Sequence, residues 1–314
     1  MLFFLAPLFG EFLLGNLKAS EIFYVPFLAP LYGGGAVLIR ELTRRAGRGY
    51  ATMLTLGVAY TIVEEGLVDQ LFFNPAYFAG QEQLMDTVIP GLGVDAWLTL
   101  VLFAMHAIWS ICVPIILVEA IFADRGDAPW LGKPGLSVTA AIFVLGSLWL
   151  GHTIYVESGF MATVAQLAAA AVITVLLVAV AFAGNRRVRT PRDGFVPGPW
   201  IAGGAAFGAS SLYMLTEYLP GWTRVAACVL IAVGFFALVR QWSRRAGWSP
   251  VHTLALAGGA ILTYAWLGAV MEPETGPKTL ADHLGTIVFI CGALGLFVVA
   301  VRSSRRATVS QVAA

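Results

Sequence analysis

Apolar stretches recur from one end of the chain to the other, separated by short polar turns. Ten can be marked, at approximately 2–17, 22–40, 50–70, 96–121, 136–157, 160–184, 198–218, 222–240, 250–271 and 280–301. Most approach the roughly 20 residues a helix needs to cross the hydrocarbon core of a bilayer. The pattern predicts an all-α, polytopic helical membrane protein with about ten transmembrane helices. Pro26, Pro30 and Pro114 fall inside spans and predict kinks. Gly33-Gly34-Gly35 sits within span two with no P-loop lysine, and predicts close approach of helices or a local break.

The basic residues fix an orientation. Arg40, Arg44, Arg45 and Arg48 lie between spans two and three, Arg125 and Lys133 after span four, and Arg186, Arg187, Arg189 and Arg192 after span six. Arg240, Arg244 and Arg245 follow span eight, and Arg302, Arg305 and Arg306 close the chain. Every second connection is thus basic, which predicts cytoplasmic termini under the positive-inside rule. Lys18, Arg224 and Lys278 are left for the outer side, with the acidic segments around Glu82, Asp86, Asp95, Glu272 and Glu274.

Composition agrees: 59% of residues are hydrophobic, 12% are charged, and mean hydropathy is +0.81. A soluble domain could not hide that much apolar surface. The net charge of +1 says little about partners, because the charges are sorted by loop. Their dispersal over cytoplasmic turns argues against a nucleic-acid partner. The lipid bilayer is the expected surrounding, in a multi-pass plasma-membrane protein. Cys112, Cys228 and Cys291 all fall in apolar runs without CxxC spacing and read as core residues. Met1-Leu2-Phe3 enters an apolar run without a basic leader, which predicts a first membrane helix and is compatible with a start codon upstream of Met1.

The organisation that follows is an N-terminal six-helix bundle over 1–184, a cytoplasmic linker over 185–199, and a C-terminal four-helix bundle with a short basic tail over 200–314. The long outer loop from Asn74 to Asp95 predicts a short interfacial helix. Val188 to Pro199, rich in Pro, Gly and charge, supplies the boundary. Arg40-Glu41 and Arg240-Gln241 begin two similar basic turns, and the echo stops before the acidic residues of span three.

Within this apolar frame one polar group stands out. Glu64 and Glu65 follow the run Ala51–Val63, with Asp69 one turn on. An ionised side chain at the centre of a bilayer costs roughly 2.5–3.5 kcal/mol on translocon scales, so these carboxyls must be protonated, paired or lining a polar cavity. Glu65 and Asp69 share a helix face, and Glu64 is turned about 100° from Glu65. His106 near the middle of span four and His152 in the outer third of span five are at compatible depth. Such a set could bind a divalent metal through His106, His152 and Glu65. It could use a glutamate to activate water while a histidine steadies an oxyanion. It could relay protons or coordinate a transported cation. It could also be a hydrogen-bond network that only fixes packing. No other cofactor is indicated. Glu157 and Glu217, near the outer surface, would line the approach with Asp69. Arg40, Glu41 and Glu119 read as interfacial side chains, and Glu11 as a possible contributor from span one.

The order Glu64-Glu65, His106, His152 resembles the CAAX-protease and bacteriocin-processing (Abi) family of intramembrane peptidases. Val68 and Asp69 stand where that family carries Arg, and Val156 where it carries Asn. The resemblance implies a hydrolase in which Glu65 activates water, Glu64 supports it, and His106 and His152 bind the oxyanion or a metal, acting on a membrane peptide. The strings Tyr32-Gly33-Gly34-Gly35-Ala36, Leu38-Ile39-Arg40-Glu41, Glu64-Glu65-Gly66-Leu67 and Phe73-Asn74-Pro75 resemble a family of bacterial polytopic membrane proteins without an assigned function. That likeness implies the bacterial plasma (inner) membrane and no particular activity. A cation- or proton-coupled transporter of a small ion is the alternative to the hydrolase.

Overall fold

A computed structural model describes residues 1–74, 86–183, 191–273 and 275–313, with no side-chain account beyond 307. Its helices are α1 (Leu2–Leu13), α2 (Ala19–Arg45), α3 (Tyr50–Val68), α4 (Ala96–Ile121) and α5 (Lys133–Ser158). They continue with α6 (Val164–Ala183), α7 (Pro199–Met214), α8 (Trp222–Trp242), α9 (Pro250–Val270) and α10 (Leu280–Ala313). These ten follow the ten apolar spans, and among the described residues eight are long and apolar enough to cross a membrane. The main correction is α1. It ends at Leu13, not near residue 17, and at 1.5 Å per residue about 18 Å of helix does not cross a core of about 30 Å. It is nonetheless buried, with Leu2, Leu5, Phe9, Phe12 and Leu13 inside the bundle.

Burial divides the helices into two sets. The packed centre is formed by α1, α2, α3, α4 and α9, whereas α5, α6, α8 and α10 turn long apolar faces outward. Leu148 of α5, Val175 of α6, Leu230 of α8 and Val288 of α10 are all exposed. In water these faces would be costly. In a bilayer they are the solvated surface, and helix association rests instead on close packing and internal polar contacts.

Small residues permit that packing. A Cβ at Gly33 would run into the carbonyl of Phe3 on α1, one at Gly34 would lie 3.2 Å from Phe143 Cβ on α5, and one at Gly35 would lie 2.6 Å from the Tyr60 ring on α3. The three glycines thus let three neighbours close on α2. Gly57 of α3 does the same for α4, where an added Cβ would stand 2.8 Å from Ala107 Cα. One core joins residues from both halves, including Leu31, Met53, Trp109 and Ile115 with Leu254, Ile261, Tyr264 and Ala300. Trp109 donates from Nε1 to the carbonyl of Ala260 at 2.7 Å. Its ring stacks on Tyr264 with centroids 4.4 Å apart and planes 3° from parallel.

Connections bond to others on the same side. On one side of the bundle, Lys18 Nζ donates to the Thr275 carbonyl at 3.0 Å, and Gly221 N–H to Asp86 at 2.8 Å. Gln70, the one described non-glycine residue with positive φ (60°), accepts at Oε1 from Ala162 N–H at 2.7 Å, tying the end of α3 to the α5–α6 turn. On the opposite side, Arg48 donates to the Phe182 carbonyl, and Arg192 N–H to the Arg244 carbonyl at 3.0 Å. An interfacial helix is expected somewhere in the loop from Asn74 to Asp95, of which 75–85 lie outside the described residues, as do 185–190 of the linker with Arg186, Arg187 and Arg189. The rest of the outer loop forms a small antiparallel hairpin, β1 (Val88–Ile89) with β2 (Val94–Asp95), and Asp95 caps α4 by accepting from Leu98 N–H at 2.9 Å.

Candidate functional site

Three helices change winding where they carry their buried acids and histidine. α1 is π-helical over Leu8–Leu13, α3 over Val63–Val68 and α4 over Met105–Cys112. These short stretches carry Glu11, Glu64 with Glu65, and His106 with Ser110. A π turn bonds i to i+5, as in Asp69 N–H to the Glu64 carbonyl at 2.9 Å, and such turns occur mostly as isolated bulges at functional sites. Pro114 follows directly in α4 and cannot donate to the Ser110 carbonyl, so the wider winding sits where the ladder is already broken.

Two adjacent glutamates reach one imidazole. Glu64 Oε2 lies 3.0 Å from His106 Nδ1, and Glu65 Oε1 lies 2.7 Å from Nε2. The angular separation of neighbouring positions, which would splay them about a helix, here delivers them to opposite edges of the same ring. All three side chains are buried, with residue exposures of 3%, 3% and 5%. Ser110 Oγ stands 3.5 Å from Nδ1.

Glu11 completes the group from α1. Its Oε1 accepts from the Tyr32 hydroxyl, and its Oε2 from Asn16 Nδ2 at 2.6 Å. The Tyr32 and Tyr60 rings lie 6.0 and 6.2 Å from the imidazole. The Tyr60 hydroxyl bonds to Glu64, while Glu65 Oε2 and the Tyr264 hydroxyl are buried without a hydrogen-bond partner among the described residues. The Glu64–His106 approach is an ion-pair contact at hydrogen-bonding distance. Three carboxyls facing one imidazole cannot all be charged in a dry bundle. With His106 cationic the group would still carry a net charge of −2, so protons or a cation must make up the difference.

The other sequence candidates lie apart. Asp69 is half-buried one turn beyond Glu65, its carboxylate accepting from Leu71 N–H at 3.2 Å. His152 is exposed on α5 and does not join His106, so the expected pairing of the two histidines around Glu65 is not formed. The face of α5 that carries it points away from the bundle. Glu157 and Glu217 are also exposed and touch none of the cluster. Among the described residues, no group of three or more His, Cys, Asp or Glu side chains is arranged to hold a metal ion. Both ring nitrogens of His106 already face carboxylates.

Tyr32 and Tyr60 gave no signal in the sequence, because a tyrosine in an apolar span is ordinary. Glu11 gave the same signal as Glu64, an acid interrupting an apolar run, but on a span whose depth was unset. A second polar centre was also hidden. At the inner end, Glu119 of α4 accepts from Arg44 Nε at 2.8 Å and Nη2 at 2.6 Å, from Arg40 Nε at 3.0 Å and from the Tyr50 hydroxyl at 2.8 Å. Glu41 pairs with Arg40 Nη1 at 2.7 Å and accepts from Trp130 N–H at 2.8 Å. Arg40 and Glu41 have no exposed surface, which corrects their reading as interfacial side chains.

Two apolar cavities flank the cluster without reaching it. One of about 430 Å³ lies among α3, α4, α7, α8 and α9, and another of about 750 Å³ lies below the hairpin between α4 and α6. Neither is lined by Glu64, Glu65 or His106.

The fold and the buried cluster define a multi-pass helical membrane protein built around an acid–histidine centre. The whole chain, residues 1–314, matches the family described as an uncharacterized membrane protein family, and it belongs to that family. This match lends no support to the peptidase resemblance. No curated protein and no solved structure matches the chain.

Proposed function

We propose that the protein is a proton-coupled transporter of the bacterial plasma membrane, in which His106 relays protons between Glu64 and Glu65. The observation that carries this reading is the bridging imidazole, with one carboxylate at each ring nitrogen. A neutral imidazole has one N–H and one lone pair. A proton arriving at one nitrogen and another leaving from the opposite one exchange the tautomer, so charge crosses the ring without rotation of the side chain. Asp69, one turn outward on the face of Glu65, serves as the outer approach. Glu11, held by Tyr32 and Asn16, serves as a further carboxyl in reach of the group. Ionisable residues inside membranes mark proton relays and ion pathways in many pumps and transporters.

The hydrolase reading asks for more. It needs a substrate and a water at the glutamates and a second histidine beside them, whereas His152 is exposed on α5 and the two cavities end short of the cluster.

The test is proton movement into liposomes loaded with a pH-sensitive dye and driven by a potassium diffusion potential. Wild-type protein is expected to acidify the lumen, with Glu65→Gln and His106→Ala slowing it at least tenfold. Equal rates in all three would reduce the cluster to a packing network.

A further inference from the structure

The cavity of about 430 Å³ among α3, α4, α7, α8 and α9 stands apart from the acid–histidine cluster and has its own chemistry. Along α4 it is lined by Leu100, Ala104, Ile108, Cys112 and Ile116, one residue in every four. It therefore follows that helix for roughly 20 Å of a hydrocarbon core about 30 Å thick. Ile231, Phe235 and Val239 repeat the spacing on α8. The volume is that of a small-molecule site, and the lining traces a slot that runs with the helices. We infer that this slot holds one acyl chain of a glycerophospholipid from the bilayer, whose anionic headgroup sits at Arg240.

Hydrogen bonding selects a hydrocarbon. The polar side chains of the lining are already bonded within the bundle. The Tyr213 hydroxyl donates to the Leu100 carbonyl at 2.7 Å, Ser210 Oγ to the Ala206 carbonyl at 2.7 Å, and Trp109 Nε1 to the Ala260 carbonyl at 2.7 Å. A polar ligand would leave water here without gaining a partner. A chain of methylenes loses nothing on entry, and it restores the dispersion contacts that a void between packed helices forfeits.

Charge selects the headgroup and the end at which it lies. Trp97, Tyr213 and Cys228 pack together at the Leu100 end. From there α4 and α8 run in the same direction, which carries Val239 toward the Ile116 end. Phe236 lines the slot and is 50% exposed, and Arg240 lies four residues on along the same helix face. Arg240 is exposed and has no ion pair among the described residues. Its stem suits the rim of an apolar slot, and its planar fork suits a phosphate. Glu119, three residues beyond Ile116, is held by Arg40, Arg44 and Tyr50 and does not compete for it. The site is separate from the proton relay, and the failure of either leaves the other standing.

The experiment places the full chain in phosphatidylcholine liposomes that contain a small, fixed fraction of phosphatidylglycerol bearing a diazirine on one acyl chain. Unlabelled phosphatidylglycerol then replaces phosphatidylcholine stepwise. After irradiation, mass spectrometry compares label on the 100–116 stretch of α4 with label on the exposed face of α5. The inference expects α4 label that falls at least fivefold across the titration, while α5 label stays constant because any neighbouring lipid reaches it. Arg240→Gln, a change at an exposed position, should lower α4 label at least fivefold and leave α5 label unaltered. Ala104→Phe, which fills the middle of the slot, should remove the α4 label. Wild-type protein with no label on α4, or with α4 label that stays constant as on α5, overturns the inference. An Arg240→Gln variant labelled as wild type overturns it equally.

Discussion

Glu65 and His106 meet across the α3–α4 interface with Oε1 2.7 Å from Nε2. The Glu65 contact holds the Nε2 edge of the ring, while Glu64 and Ser110 stand at Nδ1, so the pair is both a chemical and a structural joint. Glu65→Gln retains a polar group of the same size and should fold. Glu65→Ala leaves the imidazole facing an apolar void, and removal of one partner from a buried pair costs about 3–5 kcal/mol. Thermal unfolding in detergent should therefore separate the two variants, with Gln close to wild type and Ala well below it.

His152 provides the opposite case. It is exposed on α5 and stands outside the Glu64–Glu65–His106 group. His152→Ala should stay within about 0.5 kcal/mol of wild type, the usual range for surface changes. Proton uptake should be unaltered. A large loss of uptake would return His152 to the site and favour the two-histidine hydrolase.

Gly57 sets the spacing on which the cluster depends. A methyl group there meets Ala107 Cα at 2.8 Å, next in sequence to His106. Gly57→Ala should destabilise by about 1–3 kcal/mol, as overpacking does in a close-packed interior. Because the displaced residue adjoins the imidazole, proton uptake should fall even in the fraction that remains folded, as measured in sorted, monodisperse protein.

Glu119 anchors the inner end, with Arg40, Arg44 and Tyr50 all donating to it. Glu119→Ala removes one acceptor from two buried guanidinium groups, leaving Arg40 to Glu41 and Arg44 to Asp127, and should cost about 1–3 kcal/mol. Glu119→Gln should be milder, keeping an acceptor for Tyr50. Limited proteolysis of the α2–α3 turn would report the loosening directly.

Lys278 adds a dependence on pH. Burial lowers its pKa, partly offset by Glu272 and Asp282, and its Nζ donates to the Gly268 carbonyl at 2.7 Å. The unfolded chain then binds the proton more readily than the folded one. Stability should rise with pH between the lowered value and the free-lysine value of about 10.4. Lys278→Met should flatten that part of an unfolding-midpoint profile.

Much of this architecture was legible in the residue pattern. Apolar run length placed ten helices, and the arginines placed their ends, because both follow from the bilayer as solvent. Glu64, Glu65 and His106 were legible as a buried polar group for the same reason, each being costly in lipid. The rotation of α5 was not. That helix is apolar nearly all round, so nothing in its sequence says which face turns inward, and His152 was given the wrong one. Nor does residue order show that Glu119 returns to Arg40 and Arg44. Those contacts are made by helices from different parts of the chain, and only packing brings them together.

Glu11 also poses a question of timing. Its partners Tyr32, Glu64, Glu65 and His106 lie further along the chain, the last 95 residues later (106 minus 11). At a synthesis rate of about 5–20 residues per second, this carboxyl waits about 5–20 s before the imidazole is made. For that interval α1 holds an acid without its final neighbours, on a segment too short to cross the bilayer. The first helix is thus made early, bonded to Asn16 and Tyr32, and joined by the imidazole only late.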